Sequence, residues 1–358
     1  MENIIYAGQA TPWQLLRKTF PNSEEKERRS RYLEIIQKYY PNYEKSDITR
    51  MVLDINKSGC ATTSVANIIA RKFYNEDSFK EQFGFDLKLS NSTIDYNILL
   101  VDLCCAVYKK AKIDIYSYER FSFDNVFEAA RSFLGKEYDN DIDASNALYK
   151  EHIIPDGFDS DGKYQYKNSI PKKETIITTM EELALEKFGI ENKFITEEEL
   201  KSMFKVGGTD VNIADVAFFE KFSGLLATNK EFWINYYLEQ HNLNYEVNIE
   251  MGKYDTKEFY QMLKDSLTDN SGIEISSDHN NPIYLHTDKR FSYFSLENDK
   301  GKGHAMTYKD IDFDGNIIVS SWGHDYIIDK EFIPNIEVSR FRFKEKTKNL
   351  EHSDTKKA

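Results

Sequence analysis

Gly59-Cys60-Ala61-Thr62-Thr63-Ser64-Val65-Ala66-Asn67-Ile68-Ile69-Ala70-Arg71-Lys72-Phe73-Tyr74 places a cysteine at the opening of an apolar run. Val65, Ile68, Ile69 and Phe73 recur three, four and eight positions apart, which gathers them on one face of a helix. The spacing therefore predicts a helix over 60–74 with a buried stripe and with Cys60 in its first turn. A thiol held there meets the positive end of the helix dipole and unpaired backbone N–H groups, and both favour the thiolate. Gly59 would let a substrate backbone come close, and the Cys60 amide can face a developing oxyanion. An inert core cysteine fits the same pattern, so the reading depends on partners elsewhere in the chain.

Two later stretches supply candidates. Gly301-Lys302-Gly303-His304-Ala305-Met306-Thr307 brings a histidine into a strand from a glycine-rich loop. An acid/base histidine needs one ring nitrogen toward the nucleophile and the other held by an acceptor. Further on, Asp314-Gly315 sits between two strand-like runs, a strong hairpin signal because both turn positions accept positive φ. The returning strand ends in Ser320-Ser321-Trp322-Gly323, which the hairpin carries back beside His304. Asp310, Asp312 and Asp314 have the spacing that opens a calcium loop, but the closing position is Ser321 instead of Glu, so the segment reads as a hairpin with solvated acids and no metal is expected.

Together these residues resemble the papain-like cysteine peptidases, most of all the bacterial branch of bacteriocin-processing peptidases. Cys followed by a Thr-Ser pair and an aliphatic helix, then Gly-His-Ala-Met, then a Trp-Gly turn, occur here in that family's order. The resemblance covers roughly 53–74 and 284–328. It implies an α+β, papain-like fold: a helical lobe with the nucleophile at a helix N-terminus, packed on an antiparallel β-sheet lobe. It also implies Cys60 as nucleophile, His304 as acid/base, Gly59, Gly303 and Trp322 along the substrate cleft, and an orienting residue at Ser320. The family places Asn or Asp at that orienting position, which makes Asp325 the reserve candidate. It places Gln before the nucleophile as oxyanion donor, where the local candidate beside the Cys60 amide is Asn56; Asp54 is unsuited as an ionised acceptor. A Cys–His pair implies a thiolate–imidazolium form with a lowered thiol pKa.

Around these motifs, 358 residues fit two lobes, and 14% aromatic residues with only 7 Pro describe a globular chain. Lys plus Arg total 47 and Asp plus Glu 60, for a net charge of −13, which opposes a nucleic-acid backbone or an anionic membrane as partner. The uncharged run 3–16 contains Pro12 and is too short to span a bilayer, and nothing reads as a basic-start secretory leader. The expectation is a cytoplasmic protein, with leaderless delivery left open. Cys60, Cys104 and Cys105 form neither a disulfide framework nor a zinc cluster, and Cys104 and Cys105 lie in an apolar helical run as packing residues. No cofactor is expected.

Helical patterns cover 24–39, 92–112, 123–134, 178–188, 196–204, 213–222, 229–240 and 256–267, whereas 139–173 reads as exposed loop. Strands are expected at 245–250, 282–285, 305–312, 316–320 and 326–328. The boundaries that follow are 1–93 for the N-terminal segment and nucleophile helix, 94–240 for a large helical insertion, 241–345 for the β-rich lobe carrying the histidine, and 346–358 for a charged tail. His241, His279 and His286 have no partner legible in the sequence, which is also silent on oligomeric state. The function expected is a cysteine hydrolase, foremost a peptidase with a protein or peptide substrate. A deamidase or acyltransferase on the same fold, or a non-catalytic papain-like binding protein, are the alternatives.

Overall fold

The structure, a computed structural model, describes residues 3–43, 59–74, 78–205, 209–213, 227–269, 271–277, 283–286, 294–295 and 304–346. Asn56, Gly303, His279, the helix expected at 213–222 apart from its first residue, and the tail beyond 346 lie outside the described residues. The chain divides into two compact units, one formed by Met1–Lys110 with Asp215–Ala358 and the other by Ala111–Ala214.

The first unit opens with β1 (Ile4–Ile5), α1 (Thr11–Arg17), α2 (Ser23–Tyr39), α3 (Cys60–Phe73), α4 (Phe79–Phe83), β2 (Ile94–Asp95) and α5 (Asn97–Lys110). Asn22 and Glu25 form a capping box at the start of α2. Charged as it is, α2 is no free surface helix: Arg28, Tyr32, Ile35 and Ile36 are buried. Arg28 Nε and the Tyr32 hydroxyl both donate to Asp95, each at 2.7 Å, and Asn97 Nδ2 donates to the other Asp95 oxygen at 2.7 Å. These bonds satisfy a carboxylate that has no contact with water. The Cys60 helix is buried from Ala61 to Ala70 on every side, more than a single stripe requires.

The second unit holds β3 (Lys112–Ser117), β4 (Arg120–Phe123), α6 (Val126–Leu134), α7 (Asp141–Lys150), β5 (Ile153–Phe158), β6 (Tyr164–Asn168), β7 (Lys172–Thr179), α8 (Met180–Phe188), α9 (Glu197–Lys205) and β8 (Thr209–Ile213). Two antiparallel sheets, ordered β7-β3-β8 and β4-β6-β5, run through it. The insertion is thus 111–214 and mixed in structure, where a helical 94–240 was expected; α5 and the helix at Ala227–Gln240 belong to the first unit. The stretch read as loop over 139–173 is α7 followed by a polar hairpin. Ile153 and Tyr166 are the residues it buries against Ala129, Ala130, Ala144 and Leu148. Two buried side chains leave too little alternation for a strand signal.

The first unit resumes with α10 (Ala227–Gln240), β9 (Tyr245–Gly252), α11 (Thr256–Asp269), β10 (Gly272–Ser277), β11 (Tyr284–Leu285), β12 (Phe294–Ser295), β13 (Ala305–Ile311), β14 (Ile317–Ser321), β15 (His324–Ile328), a 3-10 turn at Lys330–Asn335 and β16 (Ile336–Glu345). Six strands form an antiparallel sheet in the order β15-β14-β13-β10-β16-β9. The Asp314-Gly315 turn joins β13 to β14 with Gly315 at φ 86°, and Asp312 accepts the Asp314 and Asn316 amides. On one sheet face Ile273, Ile275, Met306, Ile317 and Val319 pack with Phe259, Met262 and Leu263 of α11. Helix α3 lies on the other. There a Cβ on Gly272 would stand 2.2 Å from Ile68, and Asn67 Nδ2 donates to Thr307 Oγ1 at 3.1 Å. The fold class is α+β, and among the described residues no helix is long and apolar enough to cross a membrane.

Candidate functional site

Gly59 caps α3 from a buried position, and its carbonyl accepts the Thr63 amide at 2.8 Å. This fixes Cys60 as the first helical residue, itself of intermediate exposure. One turn on, the Thr307 hydroxyl donates to Ser64 Oγ at 3.4 Å, so α3 runs along β13 with its N-terminus at the start of that strand. This sets Cys60 beside the first residues of β13, and the Ala305 backbone N–H acts on its thiol.

His304 immediately precedes β13, and its backbone is locked to β10. Its N–H donates to Ser277 Oγ at 2.9 Å, and its carbonyl accepts the Ser277 amide at 3.1 Å. His304 is 6% exposed; Nε2 lies 2.6 Å from Ser321 Oγ and the ring stacks on Trp322 at 4.2 Å with 14° between planes. Trp322 and Gly323 both take positive φ, 50° and 85°, in the tight turn between β14 and β15. A Cβ on Gly8 would stand 2.3 Å from the Gly323 nitrogen, so the N-terminal segment braces this turn backbone to backbone.

The fold thus brings Cys60 to the residue after His304 and brings the Ser-Trp-Gly turn onto the imidazole. The ring's partner, however, is Ser321 and not the expected Ser320. Register explains the shift. Ser320 is opposite Thr307, which faces α3, so the next residue, Ser321, points to the other face, with Val319 and Met306. Ser320 is buried with a hydroxyl that has no hydrogen-bond partner among the described residues. Asp325 is not the reserve orienter either, because both its oxygens accept from Lys309 Nζ at 2.8 Å in an exposed ion pair.

Burial pushes the Cys60 thiol above its ordinary range; the Ala305 N–H opposes this, Glu274 adds to it, and the Ala61 N–H and Lys230 oppose it. Burial also pushes the His304 imidazole down to about 4. At neutral pH the resting site therefore holds a neutral thiol and a neutral imidazole, not the expected thiolate–imidazolium pair. The physical reason is the burial of both groups; the ring is stacked on Trp322, and among the described residues its hydrogen-bond partner is Ser321.

Sequence reasoning missed Ser321, although it adjoins Ser320, and missed a buried charged pair that bears on the thiol. Lys230 of α10 and Glu274 of β10 form a buried ion pair, with Glu274 fully enclosed and Lys230 6% exposed. The available signal was a single Glu between two isoleucines in Ile273-Glu274-Ile275. The other histidines do find partners. His241 Nε2 lies 2.9 Å from Asp102, which also accepts from the Tyr237 hydroxyl at 2.6 Å, clamping α10 to α5. His286 Nε2 lies 3.0 Å from Asp329. Cys104 and Cys105 are wholly buried in α5. Among the described residues no three His, Cys, Asp or Glu side chains converge as metal ligands would. No protein-family model, curated protein or solved structure matches the chain.

Proposed function

We propose that the chain is a cysteine hydrolase of papain-like organisation, foremost a peptidase, acting through Cys60 and His304. The observation that carries this reading is the run of α3 along β13, which sets Cys60 at the end of the strand that His304 precedes, with the histidine's Nε2 held by Ser321. With Nε2 engaged, Nδ1 is the nitrogen left to receive the thiol proton. The transfer requires the imidazole, bonded to Ser321 on the face away from α3, to turn toward Cys60 as substrate enters. The sulfur then attacks the acyl carbon, the Cys60 amide at the α3 N-terminus faces the oxyanion, and His304 returns the proton to the leaving amine. Water releases the acyl group by the reverse use of the same histidine. Deamidation and acyl transfer use the same steps, with a side-chain amide as leaving group or a second nucleophile as acceptor.

A second reading, a binding protein that keeps the fold without the chemistry, is favoured by the stacking of His304 on Trp322 in the resting site. A thiol-reactive, peptide-like probe separates the two, read by intact mass and peptide mapping on the native chain. The hydrolase reading expects one rapid adduct, on Cys60. Absent labelling, or labelling of Cys60 no faster than a simple alkylator gives, supports the binding protein.

A further inference from the structure

We propose that the buried Lys230–Glu274 pair controls the Cys60 proton: Glu274 holds the thiol protonated in the resting site, and Lys230 is the counter-charge that lets it ionise. Burying two charges is costly, and apolar residues of similar volume commonly serve a core as well or better, so such a pair calls for a role. Its place in the sheet supplies one. Glu274 is the cross-strand neighbour of Thr307, the residue touched by Ser64 one helical turn beyond Cys60, and Ser276 is the neighbour of Ala305, whose amide acts on the thiol. Glu274 therefore points to the α3 face, in the row beneath the nucleophile. Lys230 reaches it from α10 and engages only Oε1; the second oxygen, Oε2, is buried with no hydrogen-bond partner among the described residues.

The charged and titratable groups that bear on the thiol are Glu274 from β10 and Lys230 from α10. His304 precedes β13, with its ring engaged by Ser321 and Trp322. On its other flank Glu274 faces Ser339 of β16, which is uncharged, and the cation of that strand, Arg340, is engaged by Asp269. Burial and Glu274 both favour the neutral thiol, and Lys230 opposes them. Glu274 and Lys230 act through Cys60 without touching the reacting carbon; both are positioning residues. A substrate or a ring movement that draws Lys230 toward the sulfur would tip the balance to thiolate.

The proposal rests on Cys60 being the nucleophile of the hydrolase reading, and its test needs no substrate. The rate of alkylation of Cys60 by iodoacetamide is measured from pH 6 to 10 on the full chain, with peptide mapping to separate Cys104 and Cys105. Glu274→Gln is expected to move the midpoint down by about one pH unit and to raise the rate at pH 7.5 by about tenfold, and Lys230→Met to move it up. The double variant Glu274→Gln with Lys230→Met leaves no lone buried charge and decides the matter if a single variant fails to fold. It is expected to move the midpoint down, by less than Glu274→Gln alone. A midpoint unchanged in folded single variants, or unchanged or raised in the double variant, overturns the proposal. If these shifts appear while Cys60→Ala keeps full turnover, the hydrolase reading fails and the electrostatic control stands. If turnover depends on Cys60 but the midpoints do not move, only the control fails.

Discussion

Lowering the pH should unfold the site-bearing unit through His304 in particular. The residue is 6% exposed and burial holds its pKa at about 4, against an ordinary 6.5. Because the folded value is the lower one, the unfolded chain takes up the proton first. Stability is then complete above about pH 6.5 and is lost as the pH falls toward 4. The linkage relation gives a loss of about 2 kcal/mol between pH 7.5 and 5, rising to about 3 kcal/mol at pH 4. Urea unfolding followed by tryptophan fluorescence measures it selectively, because Trp13, Trp233 and Trp322 all lie outside the 111–214 unit. The comparison is with His304→Gln, which keeps a side-chain amide near Ser321 and has no titration in this range. Wild type should lose about 2 kcal/mol more than the variant between pH 7.5 and 5. Equal losses in the two proteins would refute the claim that His304 is buried in its neutral form.

Three further outcomes follow from the same geometry. Ser321→Ala should lower turnover about tenfold, or about 1.4 kcal/mol in activation free energy, by freeing the imidazole, whereas Ser320→Ala should leave turnover near wild type and raise stability by about 1 kcal/mol by removing an unpaired buried hydroxyl; the reverse ranking in turnover would return the orienting role to Ser320. Asp95→Asn removes the carboxylate on which Arg28, Tyr32 and Asn97 converge and should cost about 3–5 kcal/mol in urea unfolding, with a loss below about 1 kcal/mol contradicting it. Gly8→Ala drives a Cβ into the Gly323 backbone, so it should destabilise by about 2 kcal/mol and change the Trp322 emission; an unchanged spectrum and stability would mean that the segments do not meet as described.

Elements whose burial follows one simple periodicity were legible in the sequence. Helix α3 and the hairpin turning at Asp314-Gly315 are of this kind, since one shows apolar residues at helical spacing and the other two turn residues that accept positive φ. Strands β10 and β16 escaped because each carries a charge where a core strand is expected to be apolar. Glu274 and Arg340 are buried, yet each has an ionic partner that is remote in sequence. Helix α2 shows the converse: its Arg28 reads as surface until Asp95, sixty-seven positions away, is brought beside it. At the site, the order Cys, His, Ser-Trp-Gly named segments that the fold brings together: the start of α3, the start of β13 and the turn after β14. The assignment of Ser320 over Ser321 depended on a register that the β-bulge between Tyr308 and Asp310 helps set, and a shift of one residue exchanges the two faces.

The central claim, that Cys60 is a nucleophile served by His304, is tested most directly by turnover on a peptide library under matched conditions for wild type, Cys60→Ala and His304→Ala, each first shown to be folded. The account predicts cleavage by wild type, none by Cys60→Ala, and a loss of at least about a hundredfold for His304→Ala, the scale of a missing general base. Cleavage by Cys60→Ala at the wild-type rate would contradict it.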